Sequence, residues 1–139
     1  MTYAELIQLY FERSNALQWY WTLYVVVVGG LLAFSSQRQR PDALTTAIVS
    51  VLFAFFAWKN LEAIRDTSQQ RFAARDAITQ FDPPEPDPQG LRKLRPLLEP
   101  TLNPPALPGV GIFHLASDVL TLAALWAMEW RRRKAAGLG

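Results

Sequence analysis

The 139-residue chain contains no cysteine, one histidine and two methionines. Without cysteine there is neither a disulfide nor a thiolate nucleophile or metal ligand. A lone histidine does not complete a His- or Cys-based zinc site within one chain. The spacings H-E-x-x-H, G-x-S-x-G, Walker A and G-x-G-x-x-G are all missing, which removes the usual signatures of zinc proteases, serine hydrolases and nucleotide-binding folds. No cofactor, no metal and no enzymatic activity are expected. The net charge is only +2, and the basic residues sit beside apolar segments and form no stripe along one face, so nucleic acid is not an expected partner.

Charge is nearly absent from three windows: Leu17 to Phe34, Ala43 to Trp58 and Val110 to Met128. Each approaches the roughly 20 residues that a helix needs to cross about 30 Å of hydrocarbon. The segments between them offer no amphipathic shell to cover three helices that are apolar all round. The sequence therefore predicts an all-α membrane protein with three transmembrane helices, the lipid bilayer being its first partner. The expected boundaries within this single domain, residues 1–139, are an interfacial amphipathic helix over 1–14, a first span over 15–34 and a second span with a protruding helix over 42–81. A proline-rich loop over 82–109, a third span over 110–130 and a basic tail over 131–139 complete it. The first sixteen residues carry Glu5 and Glu12 against Arg13, unlike the basic start of a cleaved signal peptide, so the first span is expected to remain.

Basic residues in short flanks set orientation. Ser36 to Arg40 and Trp130 to Lys134 lie on one side of a three-span topology, which places the N-terminus outside and the C-terminus in the cytoplasm. Trp19, Tyr20 and Trp21, then Trp58, then Trp126 and Trp130 stand where aromatic rings favour the headgroup level. Eleven arginines against three lysines, with many alanines, point to a bacterium and hence to its cytoplasmic membrane.

In the N-terminal segment Tyr3, Leu6, Ile7 and Tyr10 share a helical face, as in a helix lying on a membrane surface. Asn15 and Gln18 have capping-box spacing and mark the expected start of the first span. Within that span Gly29 and Ala33 form a small-xxx-small pair, a weak packing signal. After Trp58 neither proline nor glycine occurs until Pro83, so the second span is expected to continue outward as one long helix. On it Ala43, Ala47, Ser50, Ala54, Ala57, Leu61, Ile64 and Ser68 fall at alternating steps of four and three. Such a small-residue seam predicts close approach to the third span or to another copy. Nine of the ten prolines follow between Pro83 and Pro108. That loop is expected to be a semi-rigid polyproline spacer, with one amphipathic turn at Leu91, Leu94, Leu97 and Leu98.

The third span carries His114, Ser117, Asp118 and Thr121 on one face. An acid inside a membrane costs about 2.5–3.5 kcal/mol on insertion scales and therefore seeks a partner. Tyr20, Tyr24 and a snorkelling Lys59 are the candidate partners of Asp118, with His114 four residues away on the same helix. An antiparallel alignment of the second and third spans puts Asp118 near Ala54 and His114 near Trp58. Three roles follow for this face. It can glue helices in a homo-oligomer or in an accessory subunit of a membrane complex. It can line an oligomeric ion or proton pathway. The third role, a Ser–His–Asp catalytic set, is disfavoured because side chains projecting side by side from one helix converge poorly. The first role is the expected one, with itself or another membrane protein as partner.

Overall fold

The computed structural model describes residues 1–82 and 90–138, with Leu91 described by its backbone alone. Among the described residues there are four α-helices: α1 (Tyr3–Gln37), α2 (Ala43–Gln80), α3 (Leu91–Leu98) and α4 (Leu107–Ala135), with a 3₁₀ turn at Glu99–Thr101 after α3. At 1.5 Å per residue, α1 and α2 are each longer than 50 Å, and α4 is about 44 Å. All three exceed the hydrocarbon thickness.

The helix ends have local causes. Thr2 opens α1 with a reciprocal capping box, its side chain accepting from the Glu5 N–H while the Glu5 carboxylate accepts from the Thr2 N–H, which satisfies two otherwise orphaned donors. Asp42 caps α2 by accepting from the Thr45 N–H at 3.0 Å. At the other end of α2, Arg95 of α3 donates to the carbonyls of Thr79 and Phe81. Proline in the first turn starts α4. Gly137, at φ 72°, ends it in a Schellman motif: the Gly137 N–H bonds the Lys134 carbonyl and the Leu138 N–H bonds that of Arg133.

α1 and α2 form an antiparallel pair, and α4 lies along both, parallel to α1. Two cores result. In the first, Tyr24, Phe53 and Ala57 are buried among Trp21, Val28, Leu31, Phe56 and Leu122. In the second, Tyr3, Leu6 and Tyr10 of α1 meet Ala74 and Ile78 of α2, and Leu102 closes the cluster after the 3₁₀ turn. This second core lies beyond the start of α4 and makes a two-helix stalk.

The apolar side chains outside these cores point away from the protein. In the most apolar 18 residues of α1, α2 and α4 only 11%, 33% and 22% are buried. Val25, Val26, Leu52, Phe55, Leu120 and their neighbours are exposed, an arrangement costly in water and suited to lipid. The protein is thus a three-span helical membrane protein with a long second helix.

Several expectations differ from the structure. Residues 1–14 are no separate interfacial helix: α1 runs unbroken through Asn15 and Gln18, because Thr2 caps it and because Tyr3, Leu6 and Tyr10 have α2 to pack against. Gly29 has no heavy atom within 4 Å of where a Cβ would stand and Ala33 is exposed, so among the described residues this pair mediates no close helix approach. The seam divides. Ala57, Leu61, Ile64 and Ser68 are buried, Ala43, Ala47 and Ser50 are half-buried, and Ala54 is exposed. Within the 82–109 loop, Leu94, Leu97 and Leu98 belong to α3, where Leu98 packs on the stalk core while Leu94 and Leu97 stay exposed. Of the semi-rigid polyproline spacer expected over 82–109, residues 83–89 lie outside the described residues, and Leu91–Leu98 is an α-helix instead, held to the stalk by Leu98.

Candidate functional site

The buried residues of α4 are Gly111, His114, Thr121, Leu125 and Glu129, a stripe with steps of three, four or seven that faces α1 and α2. Its outstanding member is His114, which is fully buried. Its Nδ1 lies 2.9 Å from Asp118 Oδ2, and its Nε2 lies 3.1 Å from Asn60 Oδ1 on α2. The other oxygen of Asp118 accepts from the Tyr24 hydroxyl of α1 at 2.8 Å. The Asn60 side-chain amide donates to the Tyr20 carbonyl at 3.1 Å. One chain of hydrogen bonds therefore leaves α1 at Tyr20, crosses α2 and α4, and returns to α1 at Tyr24. Tyr24 and Trp21 stack around the imidazole, with ring centroids 4.3 and 5.7 Å away.

The expected partners divide accordingly. Tyr24 reaches Asp118 through its hydroxyl, whereas Tyr20 contributes only its backbone carbonyl, and to Asn60. Lys59 does not turn inward; it pairs with Glu62 at 2.6 Å on the exposed side of α2. His114 meets Asn60, two residues beyond Trp58, because the α2–α4 register differs by that amount from the one inferred by matching span ends. Ser117 donates to the Phe113 carbonyl at 2.9 Å, and Thr121 donates to the Ser117 carbonyl at 2.8 Å. Both imidazole nitrogens are occupied by Asp118 and Asn60, so the Ser–His hydrogen bond of a hydrolytic triad is not formed. Among the described residues no three His, Asp or Glu side chains converge to hold a metal ion.

A second polar cluster closes the opposite end of the bundle. Glu129 is 1% exposed. Its Oε2 lies 3.2 Å from the Thr46 hydroxyl and 3.0 Å from Arg132 Nη2. Arg132 also donates to the Ser35 carbonyl at 2.7 Å, one of the last-turn carbonyls that α1 leaves free. Arg38 donates to the Thr46 hydroxyl and to the Asp42 carbonyl. A buried ion pair of this kind tolerates loss of one partner poorly. Glu129 and Asn60 were both missed in the sequence. Each had a signal: Glu129 continues the 114, 118, 121, 125 spacing, and Asn60 lies on the buried side of α2 between Ala57 and Ile64.

Beside the His114 junction, α2 and α4 part to leave a cleft of about 510 Å³. Phe53, Ala54, Ala57, Leu115 and Leu122 form its apolar walls, and Asp118 reaches it from α4. Trp58, Glu62, Arg65, Asp66 and Gln69 line the end nearer the stalk. There the Arg65 guanidinium comes within 3.5 Å of the Cβ position of Gly111. Comparison with protein-family models, with curated proteins and with solved structures finds no match.

Proposed function

We propose that this protein is a helix-packing subunit of a membrane assembly, either a homo-oligomer or an accessory subunit, and that the α2–α4 cleft is where a neighbouring helix docks. The observation that carries the reading is the exposed Ala54 in the cleft wall, flanked by half-buried Ser50 and Ala47. Small residues let a second backbone approach closely, which in lipid replaces the hydrophobic force that drives association in water. The internal satisfaction of Asp118 supports the same division of labour: the polar junction holds the three helices of one chain together, and the small-residue wall is left for a partner. The basic flanks and the arginine-rich composition support the cytoplasmic membrane of a bacterium, N-terminus outside.

The test is the mass of the intact assembly in native lipid. Wild-type protein is expected to carry a second copy or a second polypeptide, and Ala54→Phe, which fills the cleft without entering the core, is expected to release it. A loss of about 1–2 kcal/mol would lower the association constant roughly 5- to 30-fold. Val26→Phe on the lipid-facing side of α1 serves as control. A monomeric wild type, or an assembly indifferent to Ala54→Phe, refutes the proposal.

A second reading, an oligomeric ion or proton pathway, draws support from the hydrogen-bonded chain through His114 and Asp118. It requires a route past Leu125, which is 1% exposed, on the way to the Glu129 end. Current through liposomes that Asp118→Asn abolishes would establish it.

A further inference from the structure

The α2–α4 cleft changes character along its length. Within the spans its walls are apolar, with Ala54 of α2 and Leu115 of α4 among them, and past Trp58 they carry Glu62, Arg65, Asp66 and Gln69, all on α2. At 1.5 Å per residue Arg65 stands about 16 Å beyond Ala54, outside the level that Trp58 marks. A helix that fills the cleft therefore meets small and apolar side chains first and a patch of mixed charge last. Lys59 engages Glu62 at 2.6 Å. Arg65 and Asp66 are exposed, and among the described residues neither has an ion-pair partner. As neighbours in sequence on one helix, they do not face each other.

We propose, resting on the reading of the cleft as a helix-docking site, that its occupant is α2 of a second copy of this chain, the two copies being related by a two-fold axis along the membrane normal. A patch that meets its own image across such an axis must complement itself. Arg65 with Glu62 and Asp66 does so. In a parallel pair of α2 helices the guanidinium of each copy lies beside the carboxylates of the other, whereas a patch of one sign would repel its image. The other helices lack this chemistry at the same height. His114 of α4 meets Asn60, which sets residues 107–113 beside Arg65, and that run is uncharged. On α1 the Tyr20 carbonyl meets Asn60 and the Tyr10 hydroxyl meets Arg71, which sets residues 14–17 there, uncharged as well.

The same symmetry accounts for the small residues of the wall. Each α2 fills the cleft of the other copy, so α4, α2, α2 and α4 pack as a rhombus with the two α2 helices on its short diagonal. Close approach on that diagonal needs small side chains, and half-buried Ser50 with exposed Ala54 supplies them. The charges select the partner and its register more than they add strength, because exposed pairs are individually weak.

The experiment uses full-length protein in phosphatidylcholine liposomes. Because the chain has no cysteine, one introduced cysteine reports its own position alone. Ala54→Cys is expected to give a covalent dimer under a lipid-permeant oxidant, since a disulfide needs the two Cα atoms within about 7 Å, while Val26→Cys on the lipid-facing side of α1 does not. Arg65→Glu makes the patch acidic at 62, 65 and 66 and is expected to lower the association constant on the order of 5-fold, read by energy transfer between labelled copies across a lipid dilution series; adding Asp66→Arg restores it. An Ala54→Cys chain that does not cross-link overturns the second copy; if the assembly in native lipid then carries a different polypeptide, the cleft stays a docking site. A monomeric wild type, with or without bound phospholipid, overturns both. A dimer indifferent to Arg65→Glu, or not restored by Asp66→Arg, overturns the charge pairing on which the assignment of α2 stands.

Discussion

Asn60 shows how much one side chain does in a bundle that lacks a hydrophobic force between its helices. It accepts from His114 on α4 and donates to the Tyr20 carbonyl on α1, joining three helices where apolar packing alone is nearly neutral between protein and lipid. Asn60→Leu keeps the volume but strands a buried N–H at His114. It is expected to destabilise the bundle by about 1–3 kcal/mol, measured by reversible unfolding in mixed detergent micelles. Lys59→Ala, next in sequence, is expected to change nothing measurable, because its pair with Glu62 is exposed. The sequence made Tyr24 and His114 legible as partners of Asp118, since an isolated acid on an apolar helix has few candidates within reach. It hid Asn60 because that residue lies past Trp58, outside the apolar window, and a two-residue error in helix register is enough to aim His114 at the wrong side chain.

At the level of the helices, the extent of α2 was legible because Asp42 opens it and no proline or glycine follows until Pro83, whereas α4, Leu107–Ala135, starts before the expected 110–130 span and continues through the first five residues of the expected basic tail. The start of α1 was not legible either, since both Thr2 and Asn15 have the chemistry of a cap and the choice between them depends on what the first turns touch. Tyr3, Leu6 and Tyr10 find Ala74 and Ile78, and the helix stays intact. Thr2→Ala is therefore expected to cost about 1 kcal/mol and to fray the first turn, whereas Asn15→Ala leaves stability unchanged; amide hydrogen exchange over residues 3–7 distinguishes the two. The bond from the Thr2 N–H holds the Glu5 carboxyl below its ordinary range. That contribution is present above the ordinary carboxylate value and fades as pH falls through the lowered one, so acid is expected to accelerate exchange in this turn first.

Taken whole, the molecule has two bodies with different solvents: a span region whose apolar side chains face outward and a stalk whose apolar side chains face inward. Ile78 is fully buried in the stalk. Ile78→Ala is expected to cost about 2–5 kcal/mol there, and hydrogen exchange should show the loss over residues 3–14 and 70–80 while the spans remain protected. Hydropathy made the three spans readable. The stalk escaped it because its core is assembled from separated pieces: one face of α1, one face of α2, and Leu102 beyond a proline-rich connection.

Tyr20 and Tyr24 stand four residues apart on α1, and only one of them hydrogen-bonds to Asp118. Sliding α1 by one turn, about 5.4 Å, would bring the Tyr20 hydroxyl to the acid and offer Asn60 the carbonyl of Ala16. The polar junction would accept either alignment, so it does not act as the ruler for this helix. The ruler is at the two ends. Arg132 takes the Ser35 carbonyl, which has no partner within the helix, whereas the slide would put in its place the Leu31 carbonyl, already bonded within α1 and the poorer acceptor for a guanidinium. Tyr3, Leu6 and Tyr10 fit the stalk in one setting. A variant that releases both ends, Arg132→Ala together with Ile78→Ala, would turn a fixed helix into a ratchet with two notches.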